Sequence, residues 1–282
     1  MPHPQPSMEE AKVDMVWDKS SLYKRVWGMG ERILWAEGLH LSFGGVRALD
    51  GVSIVIRKGE LVGLIGPNGA GKTSLLNVIS GIYRPERGRV YFKGKDITGM
   101  PPHERVKLGI ARTFQHGEMF HGMTVLEAIM LRLHPWHRGS IIEAALWGFR
   151  AKRWEVEARE RAEHIIDLLE LQEYRHRPVG SLPPGIQKKV DLAAALVQDP
   201  EVILMDEPMA GLSREEKEDI IRAIIEVRET RGTTMVLVEH DLEVVSDICD
   251  RVIVMDRGRV IFDGHPEDAV RDEAVITAYI GG

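Results

Sequence analysis

Apolar residues recur along this chain in two rhythms. Ile33 to Leu41 and Val52 to Ile56 alternate with polar positions, as half-buried strands do. Leu61-Val62-Gly63-Leu64-Ile65, Val202-Ile203-Leu204-Met205, Met235-Val236-Leu237-Val238 and, after Arg251, Val252-Ile253-Val254-Met255 are short runs without alternation. Such runs predict strands buried on both faces. Val90-Tyr91-Phe92 predicts a further short strand followed by a turn at Gly94-Lys95-Asp96, and Ile110 to Phe114 another strand. The second rhythm is helical, at Ser74 to Ile79, Lys188 to Val197 and Glu215 to Glu229. Between about 116 and 187 only helical patterning is found, at Val125 to Leu133, Ile141 to Phe149 and Trp154 to Leu171. That stretch is too long for a loop and predicts an inserted helical subdomain. Buried strands alternating with helices predict an α/β fold with a mostly parallel sheet covered on both sides.

Residues 1–30 lack strand alternation and predict an N-terminal extension, leaving 31–282 as the folded domain. Within the extension, Leu22, Tyr23, Val26 and Trp27 share one helical face beside Lys19, Lys24 and Arg25. That face would suit a membrane surface or a partner, and a loosely held tail is the favoured expectation.

The chain has 282 residues, 44% apolar and 28% charged, the balance of a soluble globular protein. A formal net charge of −6 argues against a nucleic-acid partner held by a basic surface. No apolar run approaches the roughly 20 residues of a membrane span, and Met1 to Glu10 carry no signal-peptide core. Cys249 is the single cysteine, which excludes an internal disulfide and suits a reducing cytoplasm. Its expected role is that of a small buried thiol.

Chemistry enters at Gly66-Pro67-Asn68-Gly69-Ala70-Gly71-Lys72-Thr73-Ser74, which fits G-x-x-x-x-G-K-[ST]. Glycines let successive backbone N–H groups converge on phosphate oxygens. Lys72 is placed to reach the β- and γ-phosphates, and the Thr73 hydroxyl to ligate Mg²⁺. A strand entering the loop and a helix leaving it supply the context the motif needs, with the helix's positive end facing the anion. ATP and Mg²⁺ are the implied ligands.

A second centre follows the strand Val202 to Met205. Asp206 and Glu207 sit at its carboxyl end, where ligands bind in open α/β sheets. Asp206 is placed to hold Mg²⁺, and Glu207 to orient or deprotonate an attacking water. His240 ends the strand Met235 to Val238 at the same sheet edge and is placed to donate to a γ-phosphate oxygen. His116, His121, His134, His137, His164 and His176 show no metal-ligand spacing.

Taken in order, these motifs resemble the ATP-binding subunit of ABC transporters over about residues 31–282. GPNGAGKTS is similar to the Walker A loop, VILMDEP to Walker B with Glu207 as catalytic carboxylate, and VEHD to the switch segment carrying His240. The resemblance implies a role for Gln115, at the end of ARTFQ, in sensing Mg²⁺ and the water, and for Phe43 in stacking on adenine. It implies a P-loop NTPase core: a mostly parallel sheet, an N-terminal antiparallel β region and the inserted helical subdomain at about 116–187. ARTFQHGEMFHGMTVLEAI and the ending VIVMDRGRVIFDGHPEDAVRDEAVITAYIGG resemble the branched-chain amino acid importer ATPases of the LivG type. Lipopolysaccharide-export ATPases share parts of that ending.

Two motifs depart from the family. Where the signature reads L-S-G-G-Q, this chain has Leu182-Pro183-Pro184-Gly185-Ile186. In the family this segment donates to the nucleotide of the opposite subunit. Pro183 has no hydroxyl, and neither proline has an N–H. Ser213 also stands where the family has Asp or Asn. The resemblance implies transmembrane permease subunits and a second ATP-binding subunit as partners, with a heterodimer favoured over a homodimer. It further implies an external solute-binding protein and a place on the cytoplasmic face of the inner membrane. Trp136, Trp147 and Phe149 are candidates either for that docking face or for the subdomain core. A gate that closes on ATP with little turnover is the competing reading. A soluble relative acting on DNA or ribosomes is disfavoured by the acidic balance and by the lack of a second such domain.

Overall fold

The computed structural model describes residues 30–113, 122–133, 148–240 and 242–280, with backbone alone at 148–153 and 243. The chain divides into two units, Met1–Glu31 and Arg32–Gly282. The description that follows concerns the second.

β1 (Arg32–Phe43) and β2 (Val46–Arg57) form a hairpin turned at Gly44-Gly45. Both glycines have positive φ, 53° and 88°, as a tight hairpin demands. β3 (Leu61–Ile65) leads into α1 (Lys72–Ser80). β4 (Arg87–Phe92) and β5 (Lys95–Asp96) complete an antiparallel sheet ordered β2-β1-β4-β5. α2 (Pro102–Leu108) and β6 (Ile110–Arg112) follow, then α3 (Val125–Leu131), α4 (Gly148–Leu168) and α5 (Pro184–Leu196). β7 (Val202–Asp206), α6 (Arg214–Arg231), β8 (Thr234–Val238), α7 (Leu242–Ile248), β9 (Arg251–Asp256) and β10 (Arg259–Gly264) return to the second sheet. α8 (Pro266–Ala269) and α9 (Glu273–Ile280) end the described chain.

The second sheet is ordered β10-β9-β3-β8-β7-β6 and is parallel except for β10. Every residue of β3, β7 and β8 is buried. Alternation is present but hidden, because both faces are apolar. Val62, Leu64, Val202, Leu204, Val236 and Val238 face one core layer, shared with the antiparallel sheet and α1. Ile65, Ile203, Met205, Met235 and Leu237 face the other, shared with α3 to α6. Full burial of each such side chain contributes about 1.5–3 kcal/mol, so the strands have no register in which one face is spared.

This order does the positioning. Leu64 of β3 and Asp206 of β7 both pair with Val238 of β8. The carboxyl ends of three neighbouring strands therefore deliver the loop after Ile65, the Asp206-Glu207 pair and the Glu239-His240 pair to one sheet edge.

Several elements differ from the sequence expectation. α5 begins at Pro184, four residues before Lys188, with Pro183 as N-cap and Pro184 in the first turn, where a missing N–H costs nothing. α3 stops at Leu131, and α4 covers the expected helix from Trp154 but ends at Leu168. The antiparallel edge strand β10 was not anticipated. It returns from β9 through Arg257 and Gly258, both at positive φ. α2 and α7 have seven residues each, too short to show helical periodicity in sequence. Phe114 and the helix expected at Ile141 to Phe149 lie wholly or mostly outside the described residues, as do Trp136 and Trp147.

Arg105 of α2 is 1% exposed. Its Nη1 donates to Val78 O and Ile79 O at 2.7 Å, Nε to Met100 O at 2.9 Å and Nη2 to Thr98 O at 3.0 Å. Two of those carbonyls belong to the last turn of α1, where helical partners run out. Burial pulls this guanidinium down to about 10. Cys249 is buried, as expected, and its thiol is raised by burial.

Asp191 of α5 gives a pH signature. Burial pushes its carboxyl up to about 7, against the opposing charges of Lys188 and Arg132, from an ordinary value of 3.8. Between those values the native state holds a proton that the unfolded chain has released, so stability falls as pH rises from about 4 to about 7. Asp191→Asn is expected to exceed the wild type by about 2–4 kcal/mol at pH 8 and by little at pH 4. Thermal unfolding at both pH values reads this; a gain independent of pH contradicts it.

Candidate functional site

The loop after β3 is built from conformations that only glycine adopts freely. Gly66, Gly69 and Gly71 have φ of 144°, 78° and 101°. A Cβ on Gly66 would lie 2.0 Å from Met255 O, and one on Gly71 2.3 Å from Ala48 O. Ala70 is buried, and Pro67 and Asn68 complete the curve before Lys72, Thr73 and Ser74 open α1. No side chain caps the N-terminus of α1 and no acid lies in its first turn. Its first N–H groups and its dipole are thus directed at the loop.

Lys72 is buried and folds back over the loop, Nζ donating to Gly66 O at 2.6 Å and Pro67 O at 3.0 Å. Desolvation lowers the Lys72 ammonium below its ordinary range, while the carboxylates of Glu207 and Asp206 oppose that shift. A buried ammonium held only by carbonyls of a curled loop, next to open helix N–H groups, fits a polyphosphate.

Asp206 ends β7 with its side chain fully enclosed. Thr73 Oγ1 lies 3.5 Å from Oδ1, and Oδ2 accepts from Arg112 Nη2 at 2.8 Å. A hydroxyl and a carboxylate oxygen facing each other are the hard donors that Mg²⁺ prefers. Among the described residues no group of three His, Cys, Asp or Glu can hold a metal. The pair therefore fits an ion that takes its remaining ligands from substrate phosphates and water.

Glu207 adopts φ of 51°, in the left-handed region, with its N–H donating to Val238 O at 3.0 Å. That turn places its carboxylate against the imidazole: His240 Nε2 is 2.8 Å from Glu207 Oε1. Neighbouring Glu239 is buried, which raises its carboxyl, and its Oε1 accepts from Met209 N at 3.0 Å. The segment after β7 is thereby tied to the end of β8.

The other candidates are placed as follows. Phe43, 45% exposed at the end of β1, meets Tyr83 edge-on at 5.1 Å between ring centroids. Gln115, proposed for both metal and water, lies outside the described residues, as do His116, His121, His134 and His137. Leu182 is buried and its carbonyl accepts from Gln187 Nε2 at 2.8 Å. Pro183 and Pro184 start α5, and the Gly185 N–H donates to Glu216 Oε1 at 2.9 Å. Ser213 caps α6 in a reciprocal box with Glu216. The N–H groups of Ser213 and Gly185 hold the Glu216 carboxyl below its ordinary range.

Sequence reasoning passed over Arg112, Tyr83 and Glu216. Arg112 and Tyr83 act through partners distant in sequence, which no local pattern marks; Glu216 was legible as the S-x-x-E partner of Ser213, but its bond to Gly185 was not.

The sequence profile of the ABC transporter family matches residues 49–210. The high-affinity branched-chain amino acid transport ATP-binding protein LivG of Salmonella typhimurium is 35% identical over 253 residues, 90% of this chain and 99% of that protein. Among solved structures, an ATP-binding cassette of an ABC transporter in its ADP conformation aligns with a TM-score of 0.77 at 35% identity, covering 89% of this chain and 99% of that one. A dimeric cassette in a post-hydrolysis state, bound to ADP and Pi, aligns with a TM-score of 0.69 at 27% identity, covering 83% and 99%. The phosphate-shaped loop, the carboxylates at the sheet edge and the match of almost the whole domain converge on one assignment: this chain belongs to the ABC transporter family, as one of its ATP-hydrolysing cassettes.

Proposed function

We propose that this chain powers an importer of branched-chain amino acids or similar small polar solutes, as a peripheral subunit on the cytoplasmic face of the membrane. The observation that carries the hydrolytic part is the 2.8 Å contact of His240 with Glu207, beside Lys72 and Asp206 at one sheet edge. Lys72 and the N–H groups of Gly69 to Thr73 bind the phosphates, and Phe43 stacks on the base. Thr73 and Asp206, with Gln115 as the further candidate, would hold Mg²⁺, which would supply charge neutralisation at the phosphates. Glu207 accepts the proton of the attacking water, and His240 keeps that carboxylate aimed. The solute class rests on the likeness to LivG.

The subunit pairs with a different ATP-binding subunit. Its own signature segment offers two prolines, and the N–H of Gly185 is already given to Glu216. A lost donor to transition-state charge costs about 10²–10³ in rate. The site completed by this chain is therefore slow, while its own nucleotide meets an intact signature from the partner. Following the likeness to LivG, permease subunits supply the channel, fed by an external solute-binding protein; no described helix is long and apolar enough to cross a membrane.

Purified alone, the chain is expected to bind ATP·Mg²⁺ and hydrolyse it at least tenfold more slowly than the assembled transporter. Equal turnover by the isolated protein overturns the asymmetric pairing. Reconstituted with its permeases, it is expected to import leucine-class solutes in an ATP-dependent manner; no uptake overturns the solute assignment.

A further inference from the structure

We infer that Arg112 is a positioning residue of the metal site, fixing the plane of the Asp206 carboxylate so that one of its oxygens faces the ion. The inference rests on Asp206 and Thr73 being the metal-binding pair.

Arg112 is the last residue of β6, the strand that lies beside β7 in the sheet. Its side chain is 16% exposed and the carboxylate it meets is 0% exposed. The guanidinium is a fork. Nη2 donates to Asp206 Oδ2 at 2.8 Å, while Nη1 donates to Asn77 Oδ1 and, at 3.3 Å, to Ser80 Oγ. Asn77 and Ser80 lie on α1, the helix that starts at Lys72 and Thr73. The backbone of Arg112 is fixed too, since its carbonyl accepts from Arg132 Nη2 at 3.1 Å.

The consequence is orientational. With Oδ2 taken, Oδ1 alone points at the Thr73 hydroxyl, 3.5 Å away. An unheld carboxylate turns about its Cβ–Cγ bond, and the Arg112 bond to one oxygen fixes the plane in which the other faces Thr73. The planar fork spans Asp206 and α1 together, so it fixes the carboxylate relative to the helix that carries Thr73. A lysine keeps the charge but cannot hold both partners in one plane. The side-chain bonds of Arg112 go to Asp206, Asn77 and Ser80, so it acts on the metal site through Asp206.

A purely structural role predicts a different pattern. If Arg112 only fastens β6 to α1, its loss lowers the unfolding temperature and leaves the metal requirement unchanged.

The test is the Mg²⁺ dependence of nucleotide binding, read with a fluorescent ATP analogue titrated first in EDTA and then with increasing Mg²⁺. Wild type, Arg112→Lys and Arg112→Gln are compared, each with its thermal unfolding curve. The expected result is metal-free affinity within about twofold of wild type in all three. The half-saturating Mg²⁺ concentration is expected to rise about tenfold in Arg112→Gln and about threefold in Arg112→Lys, the range of a lost outer ligand support. A requirement unchanged or lowered in folded Arg112→Gln overturns the inference. If that variant does not fold, Arg112→Lys decides, and wild-type Mg²⁺ dependence in it overturns the inference equally. Absence of any Mg²⁺ effect in the wild type removes the metal role of Asp206 itself, and the inference falls with it.

Discussion

Glu207→Gln is expected to lower ATP turnover of the assembled transporter by about 10²–10⁴-fold, the usual worth of a positioned general base. The amide has the shape of the carboxylate and still accepts from His240 Nε2, which lies 2.8 Å away in the wild type. It cannot take a proton from water. ATP binding is expected to stay within about threefold, because the phosphates are held by Lys72 and the loop of Gly66 to Gly71. The backbone supports this reading. Glu207 holds a left-handed φ of 51°, and its N–H is fixed to Val238 O, so the side chain is aimed by the strand edge and not by a mobile loop. Steady-state hydrolysis together with equilibrium nucleotide binding separates the two effects. Turnover within threefold of wild type removes Glu207 as the base and favours a subunit that closes on ATP with little hydrolysis.

Arg105→Met is expected to destabilise the domain by about 3–5 kcal/mol, judged from several buried carbonyls left without a charged donor at about 1–3 kcal/mol each, partly relieved by relaxation. Methionine fills much of the volume, so the cost is chiefly polar. The four carbonyls concerned, of Val78, Ile79, Thr98 and Met100, come from α1 and from the segment before α2. The guanidinium also sits at the negative end of the α1 dipole. Denaturant unfolding reads the loss as a lower midpoint at unchanged slope. A change below about 1 kcal/mol shows that water replaces the guanidinium at these groups.

Much of this architecture can be read from the chain because its central strands have no polar face. β3, β7, β8 and β9 appear in sequence as apolar runs and in the fold within a residue or two of those runs. The loop at Gly66 to Ser74 is equally legible, since backbone conformation dictates its residue types at fixed spacing. What could not be read is pairing across the fold. Arg112 and Asp206 are 94 positions apart, and they meet because β6 is laid beside β7. Gly185 and Glu216 are 31 apart and meet because the starts of α5 and α6 converge. β10 was missed for another reason. It is an edge strand with no buried residue, so neither a closed apolar run nor strict alternation marks it.

The bond from Gly185 to Glu216 has a mechanical consequence. It rivets the start of α5, a helix packed on α3 and α4, to the start of α6, which leaves the segment after Glu207. Turning the helical subdomain about the sheet loads this rivet in shear. The Glu216 carboxylate thus couples the helices packed on α5 to the segment that follows Glu207.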